Sequence, residues 1–292
     1  MINKRQAAQK PLVSVIIPVF NRAGVIAVTL NSVKAQTYRP IEVFVVDDGS
    51  VDETALEVQS WIDTNTTQNL RVHLVQQENQ GAPAARNRGI EEATGRYFQF
   101  LDSDDTLEPK KIDAQVEALE STSAEVAVCD FKYDYSDPVK DRIVTNDGPL
   151  LKKLVYGWSI YTSTPLIDAK LVKNQLRWNE RLKRQQDIDF IFKVMMFAPR
   201  YIYTTGIWCN YVQHDGVQIS DEYKVKAPQY FRRILSLQHF IFSLWKEIPK
   251  GRKVMVVKGI LNLAKQGLGY RLKVILRGIL SDTILSRIKK YA

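Results

Sequence analysis

Tyr97-Phe98-Gln99-Phe100-Leu101 runs directly into Asp102-Ser103-Asp104-Asp105. The largely apolar run reads as a buried strand, and nothing structural requires it to end in three carboxylates. Clustered acids repel one another and lose hydration beside a core, so the arrangement is costly unless a cation or a set of donors compensates. A second strand makes the same move upstream, where Val43-Phe44-Val45-Val46 runs into Asp47-Asp48 and then Gly49-Ser50. Taken alone, Asp102-Ser103-Asp104-Asp105 has a plainer reading as a solvated surface turn. Two strands releasing acids at one end argue instead for a single crevice holding a divalent metal and a nucleotide.

The surrounding sequence alternates between the two periodicities. Val13 to Ile17 reads as a buried strand stopped by Pro18, and Val25 to Gln36 as a helix with Ile26, Leu30 and Val33 at helical spacing. Ile41 to Val46 is the second strand. Ser50-Val51-Asp52-Glu53 has the spacing of a capping box ahead of a helix through Ile62. Val72 to Val75 reads as a third strand, Ala82 to Ala93 as a helix closed by Gly95, and Tyr97 to Leu101 as the fourth strand. Pro109 opens a helix through Leu119, and Val126 to Cys129 is a fifth strand. The fold class expected is α/β, a Rossmann-like, mostly parallel central sheet with right-handed crossovers, flanked by helices. Past residue 131 the rhythm breaks into short pieces: Leu150 to Trp158, Pro165 to Ile167, Asp187 to Phe197, Tyr201 to Tyr203 and Tyr211 to His214. From Pro228 the chain turns helical and basic to its end, a C-terminal helical extension with Leu272, Ile275, Leu276, Ile279 and Leu280 on one face.

In open α/β sheets, ligands bind outside the carboxyl ends of the strands, and Asp47, Asp48, Asp102, Asp104 and Asp105 all fall at such ends. Hard carboxylate oxygens without neighbouring His or Cys suit Mg2+ or Mn2+. A metal so held can bridge a diphosphate and neutralise it as it leaves. Pro18-Val19-Phe20-Asn21 can supply a backbone edge and an apolar wall for a base. Asn79-Gln80-Gly81, ahead of Ala84-Ala85-Arg86-Asn87, approaches a helix start whose N–H groups can face an anion, with Arg86 able to pair with phosphate or base.

These pieces together resemble glycosyltransferase family 2, the inverting enzymes with a GT-A fold. The resemblance rests on Val13 to Asn21, Ser32-Val33 with Gln36-Thr37-Tyr38, Val45 to Ser50, Asn79 and Gly81 with Ala85-Arg86-Asn87, and Asp102 to Asp105. It covers residues 11 to about 110 closely and is looser to about residue 220. It implies a hexosyl- or N-acetylhexosaminyl-transferase with a nucleotide-diphosphate sugar donor, usually a UDP-sugar. Pro18, Asn21 and Asp48, with Asp47, then surround base and ribose. Asp102, Ser103 and Asp104 form the DxD signature at the sugar–phosphate end and the metal, and Asp105 faces outward or caps the next helix. The family's catalytic base is the acid of a Glu-Asp pair opening a helix in the second half. The match is Gln186-Asp187, with Gln in place of Glu; Asp187 is the choice as base and Asp189 its rival. His214 corresponds to a loop residue that contacts diphosphate or metal. The implied division is a polar tail over 1–10, a nucleotide-sugar-binding half over 11–130, an acceptor-binding half over 131–222 and a basic helical region over 223–292. Plain structural readings stand beside these: Asp187 as a helix cap, His214 as a satisfied structural residue, Trp158 and Trp178 as core.

Composition limits the alternatives. The chain has 292 residues, enough for one large domain or two smaller ones. Cys129 and Cys209, its only cysteines, lie in apolar stretches and read as buried free thiols of a reducing compartment. The N-terminus lacks the apolar core of a signal peptide, and no apolar run approaches the roughly 18 residues of a spanning helix. The expected location is cytoplasmic, peripheral on the inner face of the membrane. The net charge of +9 hides an asymmetry: after Tyr223 there are 16 Lys or Arg against Glu247 and Asp282, a net of +14, so the residues before carry −5. Residues 224–292 read either as a module for an anionic membrane surface, useful with a glycan or lipid-linked acceptor, or as a helical cap with solvated charges. No nucleic-acid partner is expected, since no recognition motif is visible. The competing functions are a non-catalytic nucleotide-sugar-binding protein and another metal-dependent nucleotide-sugar enzyme such as a nucleotidyltransferase. The latter would want a Gly-rich, basic loop after the first strand, where Pro18-Val19-Phe20-Asn21 stands. An aspartate-dependent phosphatase would want a nucleophilic Asp at that same place, and none is there.

Overall fold

The computed structural model describes residues 10–135, 138–148, 160–182, 186–198 and 200–212. The described residues up to Asp147, from Tyr161 to Gln186 and from Ala198 to Val212 belong to one compact unit, and Gly148, Ile160 and Asp187–Phe197 belong to a second. The basic extension and His214 lie outside the described residues, as does Trp158.

In the first unit, β1 (Val13–Val19), β2 (Ile41–Asp47), β3 (Leu70–Gln76) and β4 (Tyr97–Phe100) alternate with α1 (Ile26–Lys34), α2 (Thr54–Asn65) and α3 (Ala82–Glu92). The four strands run parallel in the order β3-β2-β1-β4. Every residue of β1, β2 and β4 is buried, which is why these segments read as unbroken apolar runs rather than as alternating ones. Strand order reverses at β1, whose neighbours β2 and β4 follow it on opposite sides. That is the place where an open sheet of this kind leaves a crevice.

β1 continues through Pro18 instead of stopping at it, and the ladder explains how. Leu101 N donates to Ile16 O and Asp48 N to Val19 O, so alternate residues of β1 face β4 and β2. Pro18 faces the β4 side, beyond the last residue of that strand, where no donor is needed. The Ser50 capping reading is also corrected. Ser50 Oγ accepts from Asn21 N at 2.9 Å, while α2 starts at Thr54 and Asp52 Oδ1 accepts from Thr54 N at 3.0 Å.

Beyond β4 come β5 (Thr106–Leu107), α4 (Lys111–Ser121), β6 (Val126–Asp134), a short 3-10 turn over Pro138–Lys140, β7 (Arg142–Val144), β8 (Pro165–Asp168), α5 (Ala169–Gln175) and β9 (Tyr201–Val212). The sheet continues β4-β8-β6-β9-β5, with β7 on β6. β8 runs antiparallel to both β4 and β6, and β9 parallel to β6. The broken rhythm after residue 131 is therefore a mixed sheet. Tyr201–Tyr203 and Tyr211 belong to one strand, kept continuous because β9 bulges opposite Asp130 of β6, where Gly206 holds φ 134°. Cys129 and Cys209 are buried free thiols on β6 and β9, their Sγ atoms 3.7 Å apart. The second unit contains most of α6 (Gln186–Phe197), with Phe190, Ile191, Val194 and Met195 buried.

The opposite, amino edge of the sheet is fastened by a buried carboxylate. Glu42 Oε1 accepts from Ser14 Oγ at 2.6 Å, Thr94 N at 2.7 Å and Gly95 N at 3.0 Å. Gly95 fits only because it lacks a side chain: a Cβ there would lie 2.5 Å from Ser14 Oγ, 2.7 Å from Ser14 N and 2.9 Å from Leu12 O. Two of those atoms are backbone and cannot swing aside. Gly95→Ala is expected to lower unfolding stability by about 1–3 kcal/mol, read as a lower urea midpoint; an unchanged midpoint would refute this packing account.

Candidate active site

The register places the acidic ends together. Val19 pairs with Asp47 and Ile16 with Phe100, so Asp102 emerges from β4 level with Pro18, on the far side of β1 from Asp47. Along 102–105 exposure alternates: Asp102 and Asp104 are partly exposed, whereas Ser103 and Asp105 are buried. The turn is tied from beneath. Thr29 Oγ1, on the buried face of α1, lies 2.9 Å from both the Ser103 and the Asp105 carbonyl oxygens and shares its proton between them. Thr29 was detectable as the polar member of the stripe Ile26, Thr29, Leu30 and Val33.

Each carboxylate has its own partners. Arg86 Nη2 sits 2.5 Å from Asp102 Oδ1, and Tyr161 Oη lies 3.2 Å from Asp102 Oδ2. Arg86 is buried, stacks 4.3 Å over the Trp178 ring and places Nη1 3.5 Å from Gln186 Oε1. Its Nε is buried without an acceptor among the described residues. Asp104 faces Arg22 Nη2 at 3.6 Å. Asp105 does not face outward; it is 1% exposed and accepts from Tyr161 Oη at 2.5 Å and Val212 N at 3.2 Å. Burial pushes its carboxyl well above the ordinary carboxylate range, and Asp102 and Asp104 push the same way. Burial also raises the Tyr161 hydroxyl, with Asp105 and Asp102 adding to it. Arg22 and Tyr161 escaped the sequence reading. Arg22 adjoins the Asn21 motif, but Tyr161 is brought in by long-range folding and carries no local signal.

The β2 acids serve the loops. Asp48 accepts from Gln77 Nε2 at 2.7 Å, Gln80 N at 2.9 Å and Gly81 N at 2.7 Å. The Gln80 and Gly81 N–H groups, just ahead of α3, therefore face this carboxylate. Gly81 holds φ 94° at the start of α3. Asp47 is buried, and its Oδ1 accepts from Ser50 N at 3.0 Å. Asn21 Oδ1 accepts from Val51 N at 2.9 Å, joining the β1–α1 and β2–α2 loops beside buried Pro18 and Val19.

Two carboxylates with hard oxygens, Asp102 and Asp104, stand at the accessible side of this edge. Mg2+-type ions are commonly held by one or two carboxylates together with substrate phosphates. No group of three ligating side chains occurs among the described residues; the pair fits an ion whose remaining ligands come from a diphosphate. On α6, Asp189 is buried and bound to Lys193 Nζ at 2.5 Å, whereas Asp187 is only partly buried.

Residues 14–198 match the family model described as glycosyl transferase family 2. The chain belongs to glycosyltransferase family 2. A Rickettsia bellii protein named an uncharacterized glycosyltransferase is 33% identical over 207 residues, 65% of this chain and 28% of that relative, so the chain spans little more than a quarter of its length. Among solved structures, S. aureus TarS 1–349 in complex with UDP-GlcNAc superposes with a TM-score of 0.59 at 20% identity, covering 87% of this chain and 80% of that one. The mannosyltransferase PcManGT from Pyrobaculum calidifontis, in complex with GDP-Man and Mn2+, gives 0.56 at 19%, covering 97% and 83%. At those identities the likeness establishes the fold, and this family 2 chain has the GT-A fold. No helix among the described residues is long and apolar enough to cross a membrane.

The raised Asp105 carboxyl has a signed consequence. Its folded state favours the protonated form, so its contribution to stability is present below the unfolded carboxylate range and fades as pH rises through the folded value. Asp105→Asn mimics the neutral form and escapes that loss. In the metal-free protein its melting temperature relative to wild type is expected to be more favourable at about pH 8 than at about pH 5. A difference that does not change with pH would contradict the burial argument.

Proposed function

We propose that this chain transfers a sugar from a nucleotide-diphosphate sugar, a UDP-sugar, to a hydroxyl of a glycan or lipid-linked glycan acceptor, with inversion at the anomeric carbon. The observation that carries the reading is the Asp102–Asp104 pair at the strand-order reversal, with Asp102 backed by Arg86 and Tyr161. TarS is named in complex with UDP-GlcNAc and PcManGT with GDP-Man and Mn2+, ligands of the class such an edge suits.

Pro18, Val19, Asn21, Asp47 and Asp48 form the wall for base and ribose, with Gly81 held against it by Asp48. Asp102, Ser103 and Asp104 take the sugar–diphosphate end. Asp102 and Asp104 would hold Mn2+ or Mg2+, joined by His214; when bound, that ion neutralises negative charge growing on the departing diphosphate. Arg22 and Arg86 add fixed positive charge at the same end. Asp187 is the general base. It takes the acceptor hydroxyl proton, the freed oxygen lone pair bonds to the anomeric carbon, and the bond to the diphosphate oxygen breaks with its electron pair leaving on the nucleotide. Asp189 is the poorer base because Lys193 holds it as a buried ion pair.

The division into donor half, acceptor half and basic region belongs to the same reading, with residues 224–292 docking a cytoplasmic enzyme on anionic membrane. Deleting them is expected to abolish co-sedimentation with anionic liposomes, and equal sedimentation would remove that docking role. Catalysis is tested by two variants with a nucleotide sugar and Mn2+. Asp104→Ala is expected to lose donor hydrolysis and transfer. Asp187→Asn is expected to keep UDP binding while transfer falls by about 100- to 10,000-fold. Full turnover in Asp104→Ala would overturn the site, and full turnover in Asp187→Asn would overturn the choice of base.

A further inference from the structure

We propose that Tyr161 is a positioning residue of the donor site, its hydroxyl fixing the Asp102 carboxylate from the side of the core. The inference rests on the reading of Asp102 and Asp104 as the donor and metal carboxylates and assigns a task to a residue outside every motif of that reading.

The geometry around the hydroxyl is specific. Tyr161 Oη lies 3.2 Å from Asp102 Oδ2 and 2.5 Å from Asp105 Oδ2, and its single proton is shared between the two carboxylates. Arg86 Nη2 holds the other Asp102 oxygen, Oδ1, at 2.5 Å. Both oxygens of one partly exposed carboxylate are thus contacted from the protein side, and its remaining lone pairs are directed to whatever enters the edge. The ring cannot drift from this position. It stacks on Phe131 with centroids 5.4 Å apart and meets Tyr211 edge-on at 4.7 Å. Asp105 anchors the hydroxyl in turn and accepts Val212 N at 3.2 Å, so the last residue of β9 is tied to the same cluster. β6, through Phe131, and β9, through Tyr211 and Val212, are thereby connected to a carboxylate that leaves β4. This gives the second half of the sheet a role in setting the donor edge.

A carboxylate held at both oxygens meets a cation without first being reoriented, and that advantage exists only when the cation is present. Loss of the hydroxyl should therefore weaken metal-dependent nucleotide binding and leave metal-free binding alone. The test uses the full chain, with UDP and Mn2+ as probes in isothermal titration. Tyr161→Phe keeps the ring and removes the hydroxyl. Its UDP affinity without Mn2+ is expected to stay within about twofold of wild type, while its affinity with Mn2+ falls about tenfold, the scale of one charge-assisted hydrogen bond. Phe131→Leu disturbs the stack but keeps the hydroxyl, and should retain most of the Mn2+ effect even with a lower melting temperature. Three results overturn the proposal: an undiminished Mn2+ effect in Tyr161→Phe, equal losses in both variants, or equal weakening with and without Mn2+. Wild-type protein whose UDP binding ignores Mn2+ would instead overturn the metal reading of Asp102 and Asp104, and this inference with it.

Discussion

The contact between the Arg86 guanidinium and the Asp102 carboxylate is the constraint on which the carboxyl edge of the sheet depends. Asp102 leaves a strand whose preceding residues are fully buried, beside Asp104 and the buried Asp105. Without a cation such a cluster would be driven apart by repulsion and lost hydration. Arg86 supplies that cation from the second turn of α3, stacked on Trp178 and itself buried. α3 is in turn located by Gly81, whose N–H donates to Asp48. Acids leaving β2 and β4 are therefore linked through one helix: Asp48 fixes where it starts and Asp102 receives what it carries.

This arrangement explains why the two ends of the sheet differ chemically. At the amino edge, Glu42 is closed over by Ser14, Thr94 and Gly95 and presents nothing to a ligand. At the carboxyl edge, Asp105 and Ser103 turn inward and hold the turn, while Asp102 and Asp104 remain partly exposed. The chain belongs to glycosyltransferase family 2, and its sheet joins the parallel strands β3-β2-β1-β4 to the mixed strands β8-β6-β9-β5. The antiparallel β8 and the long β9 give Tyr161 and Val212 their places.

Much of the parallel half was legible because fully buried strands announce themselves as apolar runs, and acids directly after them have few structural explanations. The exceptions have identifiable physical causes. Pro18 reads as a stop, yet its missing donor falls on the β4 side of β1, beyond the last residue of that strand. Ser50-Val51-Asp52-Glu53 has capping spacing, yet Ser50 Oγ serves Asn21 across the loop. β9 reads as two fragments because Thr204, Thr205 and Gly206 interrupt it, and a bulge of β9 opposite Asp130 absorbs the break. Within the site, the acids and Arg86 were legible from local pattern. The inward turn of Asp105 was not, because it depends on Tyr161 and Val212, more than 50 residues away along the chain. Long-range pairs of this kind leave no periodic trace.

On the proposed function, the carboxyl edge beside β1 and β4, and no other surface, receives the diphosphate of an activated sugar. The most direct measurement is anomalous diffraction from crystals of the full chain grown with UDP and Mn2+. The account predicts a manganese peak in contact with Asp104 and diphosphate oxygens, with uracil beside Pro18 and Asn21. Manganese and UDP bound elsewhere, for instance in the basic cleft lined by Lys10, Arg39 and Arg71 at the amino edge, would contradict it.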